Sequence, residues 1–239
     1  MIGLGTIINT VAILVGGLAG ALFGRYIKEQ TQDTLTKVCG VSTLFISIAG
    51  AMEGMLKIND GTLSSAGALL IIVCLVLGGL IGELINIEGG LEKFGEFLKK
   101  KSGNAKDNTF VEAFVTASFT VCIGAMAVVG SIEDGIFGDF TILLTKSVLD
   151  FIIVMVLSSS MGKGAIFSAI PVAVLQGSIT ALAGFIRPIM TAAALSNLAI
   201  VGNVLIFCVG INLVWGKKVR VANLLPAIIF AIVAAFLPF

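Results

Sequence analysis

The chain has 239 residues and no histidine, so few of its side chains can do chemistry. One pair stands apart. Lys146-Ser147-Val148-Leu149-Asp150 lies inside the otherwise apolar run 139–161. A lysine and an aspartate four residues apart share a helical face and can neutralise each other. Charge near the centre of a membrane helix costs at least ~2.5–3.5 kcal/mol, so its presence needs a reason. At the helical rise, Asp150 stands about 16 Å from Asp139, close to mid-membrane. Two readings are open. In one the pair fixes helix packing. In the other it is the polar centre of a transport path, with Asp150 exchanging a proton or cation and Lys146 gating it.

Other polar residues interrupt the apolar runs. Pro171 precedes Gln176, Ser178 and Thr180 in the run 164–186. A proline inside a helix removes a backbone hydrogen bond, which predicts a kink and a freed carbonyl near Phe167. A helix broken at mid-depth and carrying polar groups is how transporter sites read in sequence. Ser147, Asn9, Asn203 and Asn212 can bond between helices or line a cavity. Glu53 and Glu83 lie near span ends, where snorkelling to the interface explains them. Thr116, Ser118 and Thr120 can satisfy their hydroxyls on their own helix. The glycine- and acid-rich segment 130–139 reads as an outer turn, where Glu133, Asp134 and Asp139 could concentrate cations at an entrance. It lacks the spacing of a calcium loop, and a solvated acidic turn is the plain alternative.

Much else is excluded. Hydrophobic residues make up 57% of the chain and charged ones 12%, and mean hydropathy is +1.11. Soluble domains are nearer 45–50% and 25%. This is the composition of an integral membrane protein, not of a soluble enzyme or a nucleic-acid binder. The chain lacks a G-x-x-x-x-G-K-[ST] stretch and pairs no nucleophile with a base, so neither ATP-driven transport by this chain alone nor catalysis is expected. Cys39, Cys74, Cys122 and Cys208 are dispersed in apolar runs, where buried structural thiols are expected. No cofactor, metal site or nucleic-acid partner is expected; the partners are the lipid bilayer and a small solute or ion.

The elements that position these groups are helices. About 20 apolar residues cross a bilayer, and eight such stretches occur, at 2–24, 36–56, 65–86, 110–131, 139–161, 164–186, 193–215 and 221–238. The expected fold class is therefore all-α, a polytopic membrane protein with one transmembrane domain over 1–239. Basic residues sort strongly between loops. Arg25, Lys28, Lys37, Lys93, Lys99, Lys100, Lys101, Lys106, Lys163, Lys217, Lys218 and Arg220 follow odd-numbered spans, while only Lys57 and Arg187 follow even-numbered ones. That asymmetry predicts both termini outside. Within 87–109, Leu91, Phe94 and Leu98 beside Lys99–Lys101 predict an amphipathic helix on the cytoplasmic face, or a solvated linker helix.

Glycine patterns add two expectations. Gly16, Gly20 and Gly24, and likewise Gly78 and Gly82, lie four apart, spacing that lets helices approach closely within a protomer or in a homodimer. Gly-Gly-Leu-Ala-Gly-Ala-Leu at 16–22 returns as Gly-Gly-Leu-Ile-Gly-Glu-Leu at 78–84, and Gly-Ala-Met recurs at 50–52 and 124–126. Both echoes suggest a duplicated helical hairpin.

Gly124-Ala-Met, Gly130-Ser-Ile-Glu-Asp-Gly, Gly138-Asp139, Lys146-Ser147-x-x-Asp150, Pro171 with Gln176, and Leu224-Leu-Pro226-Ala together resemble the YqgA/YdfK-like family of bacterial multispanning membrane proteins. The resemblance runs from Gly5-Thr6-x-x-Asn9 to the last helix. It implies a bacterial inner-membrane protein and carries over no substrate or site residue. From the polar groups, the expected function is a secondary transporter or channel-like carrier of a small polar or charged solute or cation. The competing class is a membrane scaffold or sensor subunit whose buried charges are structural.

Overall fold

The computed structural model describes residues 2–24, 26–59, 62–105, 107–122 and 125–237. Arg25, Lys106, Gly124 of the second Gly-Ala-Met and Pro238 at the end of the eighth stretch lie outside them. The described residues are overwhelmingly helical, in six helices long and apolar enough to span a membrane. The stretch 110–131 becomes two helices, α5 (Phe110–Cys122) and α6 (Ala125–Phe137), bent by 61° and adequate together for a seventh span. The eighth stretch gives a shorter apolar helix, 221–234. The chain divides into two units, Met1–Cys39 with Gly89–Ile186, and Gly40–Glu88 with Arg187–Phe239.

The first unit is built around α1 (Leu4–Gly24), α7 (Thr141–Met161) and α8 (Ala169–Ala181). α1 lies parallel to α7. A Cβ added at Gly16 would sit 2.5 Å from the Phe151 carbonyl oxygen, and at Gly24 2.7 Å from that of Ser159. One added at Gly20 would overlap the Met155 carbonyl. The glycine face is therefore covered by α7 of the same chain, and its spacing carries no argument for a dimer. α7 stops at Gly162, whose φ of 107° suits glycine. A 3₁₀ turn, Lys163–Ser168, leads into α8. Pro171 is the third residue of α8, where the helix's first backbone N–H groups have no intrahelical partner in any case. A change from 3₁₀ to α-helix at Ser168–Ala169 stands where the sequence predicts a kink near Phe167, and the pair of helices bent by 61° is α5–α6.

α4 (Ile87–Lys101) is the amphipathic helix expected from the sequence. Buried Leu98 joins Phe110 and Phe114 of α5, and the Phe94 and Phe114 rings meet edge-on at 5.9 Å. Lys99–Lys101 occupy its last turn, where cations oppose the helix dipole.

The second unit contains most of α2 (Glu29–Met55), α3 (Ala68–Ile85), α10 (Ala192–Trp215) and α11 (Pro226–Ala234). Gly40, Gly50 and Gly54 face Val214, Asn203 and Ile200 of α10, so α2 and α10 run antiparallel. Gly78 and Gly82 face the backbone of Ala227 and Asn223. Cys74, Val201, Ala227 and Ala231 form its core. Between α2 and α3 a two-stranded hairpin pairs Leu56–Asn59 with Thr62–Ser65, where the sequence predicts only a span end and a loop. α10 ends at Gly216 (φ 76°), followed by a 3₁₀ turn, Val221–Leu224, and α11 with Pro226 at its start.

Candidate functional site

The polar groups of α1, α7 and α8 converge inside the first unit. α1 contributes Asn9, α7 contributes Lys146 and Asp150, and α8 contributes Gln176. Their exposures are 0, 6, 3 and 1%. The Lys146 ammonium donates to Asp150 Oδ2 at 2.5 Å and to the Val121 carbonyl at 2.7 Å. Asn9 Nδ2 donates to Asp150 Oδ2 at 3.0 Å and to Gln176 Oε1 at 3.3 Å. The carboxylate needs a donor, which orients the Asn9 amide, and Asn9 in turn orients that of Gln176. Two atoms of the network are left buried without a partner, the acceptor Asn9 Oδ1 and the donor Gln176 Nε2. Buried polar atoms in folded proteins are almost always satisfied, so each can take a further hydrogen-bond partner.

Successive helical turns extend the site in layers. Toward the start of α1, the Thr6 and Thr180 hydroxyls pair at 3.3 Å. Beyond them Asp134, fully buried, accepts the backbone N–H groups of Gly3 at 3.2 Å and Gly5 at 3.0 Å. In the opposite direction, one turn from Asn9, Asp150 and Gln176, stand Ile13, Val154 and Val172, all with 0% exposure. A further turn along, Ser158 Oγ donates to the Gly17 carbonyl at 2.8 Å. Ser158 also lines a cavity of about 690 Å³ whose other walls include Gly24, Gln32, Asn104, Asp107 and Lys163. A second cavity, about 510 Å³, lies in the other unit among Leu69, Val73, Leu77, Ile200 and Phe230. Neither is lined by Lys146 or Asp150.

The remaining sequence candidates fall elsewhere. Ser147 is buried but spends its hydroxyl on the Leu144 carbonyl of its own helix. Asn212 belongs to the second unit and ties the loop after α10, donating to the Val219 carbonyl and accepting from the Lys218 and Val219 N–H groups. The segment 130–139 is not a solvated turn. α6 continues to Phe137, and Asp134 faces inward to cap the start of α1. Glu133 is half-buried and Asp139 exposed. The Thr141 hydroxyl and N–H beside Asp139 hold its carboxyl below the usual range. Glu83 pairs with Arg220 at 2.7 Å. Ser118 and Thr120 bond back to their own helix, as expected.

The Val121 carbonyl, Thr6 opposite Thr180, and the inward turn of Asp134 are not among the sequence candidates. The Thr-x-x-Asn and Gln-x-x-x-Thr spacings, which put each pair on one helical face, carry the signal for the second. In the second unit, Glu88 is another buried acid. It pairs with Lys217 at 2.6 Å, and its N–H donates to Asn223 Oδ1 at 2.8 Å.

Residues 4–236 match the family model described as "Protein of unknown function (DUF554)". The chain is 33% identical over 232 residues to the "Uncharacterized membrane protein YdfK" of Bacillus subtilis (strain 168), covering 97% of this chain and 95% of the relative. It is 27% identical over 232 residues to the "Uncharacterized protein YqgA" of Escherichia coli (strain K12), covering 95% and 94%. No solved structure matches.

Proposed function

Because the chain belongs to the DUF554 family, a multi-pass membrane family with no assigned activity, we propose from its own site that it is a secondary transporter or channel-like carrier. The cargo is a small polar or charged solute, and the membrane is the bacterial inner membrane. The observation that carries this reading is the buried Lys146–Asp150–Asn9–Gln176 network with two unpartnered amide atoms. The single layer of Ile13, Val154 and Val172 separates that network from the serine-lined cavity, as a gate would.

The basic-residue asymmetry supports an orientation with both termini outside and the 690 Å³ cavity opening to the cytoplasm. The echo of 16–22 at 78–84 supports a duplicated helical hairpin, each copy carrying a glycine face packed on a helix of its own unit. The scaffold or sensor reading draws on one observation, the enclosure of Lys146 and Asp150 away from both cavities.

Flux into proteoliposomes separates the two. The transport reading expects wild-type protein to move a solute and the Lys146→Met, Asp150→Leu double variant, folded and inserted, to move none. Equal flux through both would take the Lys146–Asp150 pair out of the transport path, and no flux through the wild type above that of empty liposomes would leave the scaffold reading in possession.

A further inference from the structure

We infer that the coupling ion is a proton carried by Asp150, and that the solute bound with it is a small anion held by Lys146. This rests on the transporter reading above and names its substrate class.

Charge conservation in a buried site decides what can enter. With Asp150 ionised, the 2.5 Å pair with Lys146 is neutral, and the site holds no net charge. Three changes could admit a solute. A metal cation placed on Asp150 would face the Lys146 ammonium already there, leaving two positive charges for one carboxylate. It would also need several oxygen ligands, whereas the nearby Val121 carbonyl is already taken by Lys146. A neutral solute alone would leave the pair closed and have no use for it. Protonation of Asp150 is different. One O–H bond forms on the carboxylate, Lys146 keeps its three protons and its bond to Val121, and no other covalent bond changes. The ammonium is then uncompensated in a low-dielectric site, which is costly until an anion arrives. Proton and anion thus enter together, and the site is neutral empty and neutral loaded.

The amides support the same ligand. While Asp150 is ionised, Gln176 Nε2 is the unpartnered donor. Once Asp150 carries a proton its O–H must be accepted, and the Asn9 amide turns to present its oxygen, sending Nδ2 to the vacant side. Gln176 follows, giving its N–H to Asn9. In either state one amide N–H and one amide oxygen of the pair stay without a protein partner, and it is the N–H that an anion would accept from. The groups facing Asp150 are Lys146 on its own helix, Cys122 on α5, and the uncharged Asn9 and Gln176 on α1 and α8. Lys146 supplies the formal charge in that set.

The test is thermal unfolding of the purified full-length protein in detergent at pH 5 and pH 8. Sodium L-lactate, L-glutamate and phosphate are compared with choline and putrescine chlorides, each against sodium chloride of equal ionic strength. The expected result is a rise of at least ~3 °C with an anion at pH 5 and none at pH 8. Asp150→Asn, which mimics the protonated acid, should respond to the same anion at both pH values. The Lys146→Met, Asp150→Leu variant, which leaves no charge unpaired, should respond to none. Stabilisation by choline or putrescine, or by an anion independently of pH in the wild type, would overturn the inference while leaving a solute site in place. No response to any probe at either pH would overturn both.

Discussion

Lys146 donates to the backbone carbonyl of Val121 at 2.7 Å, across 25 residues of sequence, where α5 comes to its end. The last carbonyls of a helix lack intrahelical partners and carry partial negative charge. The ammonium therefore has a second acceptor, a neutral carbonyl dipole independent of Asp150. This anchor would hold the lysine in place were Asp150 protonated.

Removing one charge should cost more than removing both. Lys146→Met or Asp150→Leu alone strands a buried charge, at about 3–5 kcal/mol, whereas the double variant should recover most of that. Thermal unfolding of the three purified variants checks this, and a double variant as unstable as the sum of the singles would contradict it.

Gly20→Leu should destabilise the first unit, because its Cβ alone overlaps the Met155 carbonyl. The expected loss is roughly 1–3 kcal/mol from overpacking. Gly177→Ala, on α8 with nothing within 4 Å of the added carbon, should be neutral or stabilising by up to ~1 kcal/mol. Similar melting shifts for the two would count against the α1–α7 packing.

Asp134→Ala deprives the Gly3 and Gly5 N–H groups of their acceptor. Unmade buried hydrogen bonds cost about 1–3 kcal/mol each. Hydrogen exchange should quicken across the first turn of α1 and leave the Gly16–Gly24 stretch unchanged.

Asp139 supplies a pH-dependent increment. Its folded carboxyl titrates lower than in the unfolded chain, so the stabilisation is present above the unfolded value and is lost as pH falls through the folded one. Thr141→Ala should move the Asp139 titration, followed by carboxyl NMR, back toward the ordinary range. An unchanged titration would rule out the Thr141 hydroxyl as the cause.

A periplasm-active reporter fused after Phe239 should be active, and a cytoplasm-active one silent. The reverse would invert the assignment of the serine-lined cavity to the cytoplasm.

Local spacing makes the Lys146–Asp150 pair legible, since residues four apart on a helix must be neighbours. Asn9 and Gln176 are legible as polar residues out of place but not as partners, because Asn9 lies 141 residues from Asp150 and 167 from Gln176. Asn212 looks the same in sequence and closes its own loop, since an asparagine at a helix end can bond the backbone beside it. The break between α5 and α6 is hidden by an uninterrupted apolar run. Pro171 suggests an interrupted helix but not its place in the first turn after a 3₁₀ segment, because composition does not reveal which turn of a helix a proline will occupy. The acids at 133–139 read as solvated for want of any sign that α1 begins against them.

Where Gly16, Gly20 and Gly24 lie on α7, backbone meets backbone, and such a surface has few teeth to stop one rod sliding along another. Two hydrogen bonds pin the register, Asn9 to Asp150 and Ser158 to Gly17, eight residues apart on both helices. One of these two pins is the acid on which the proposed chemistry turns. A proton arriving at Asp150 changes what that pin holds, and so bears on the axial freedom of the whole of α1.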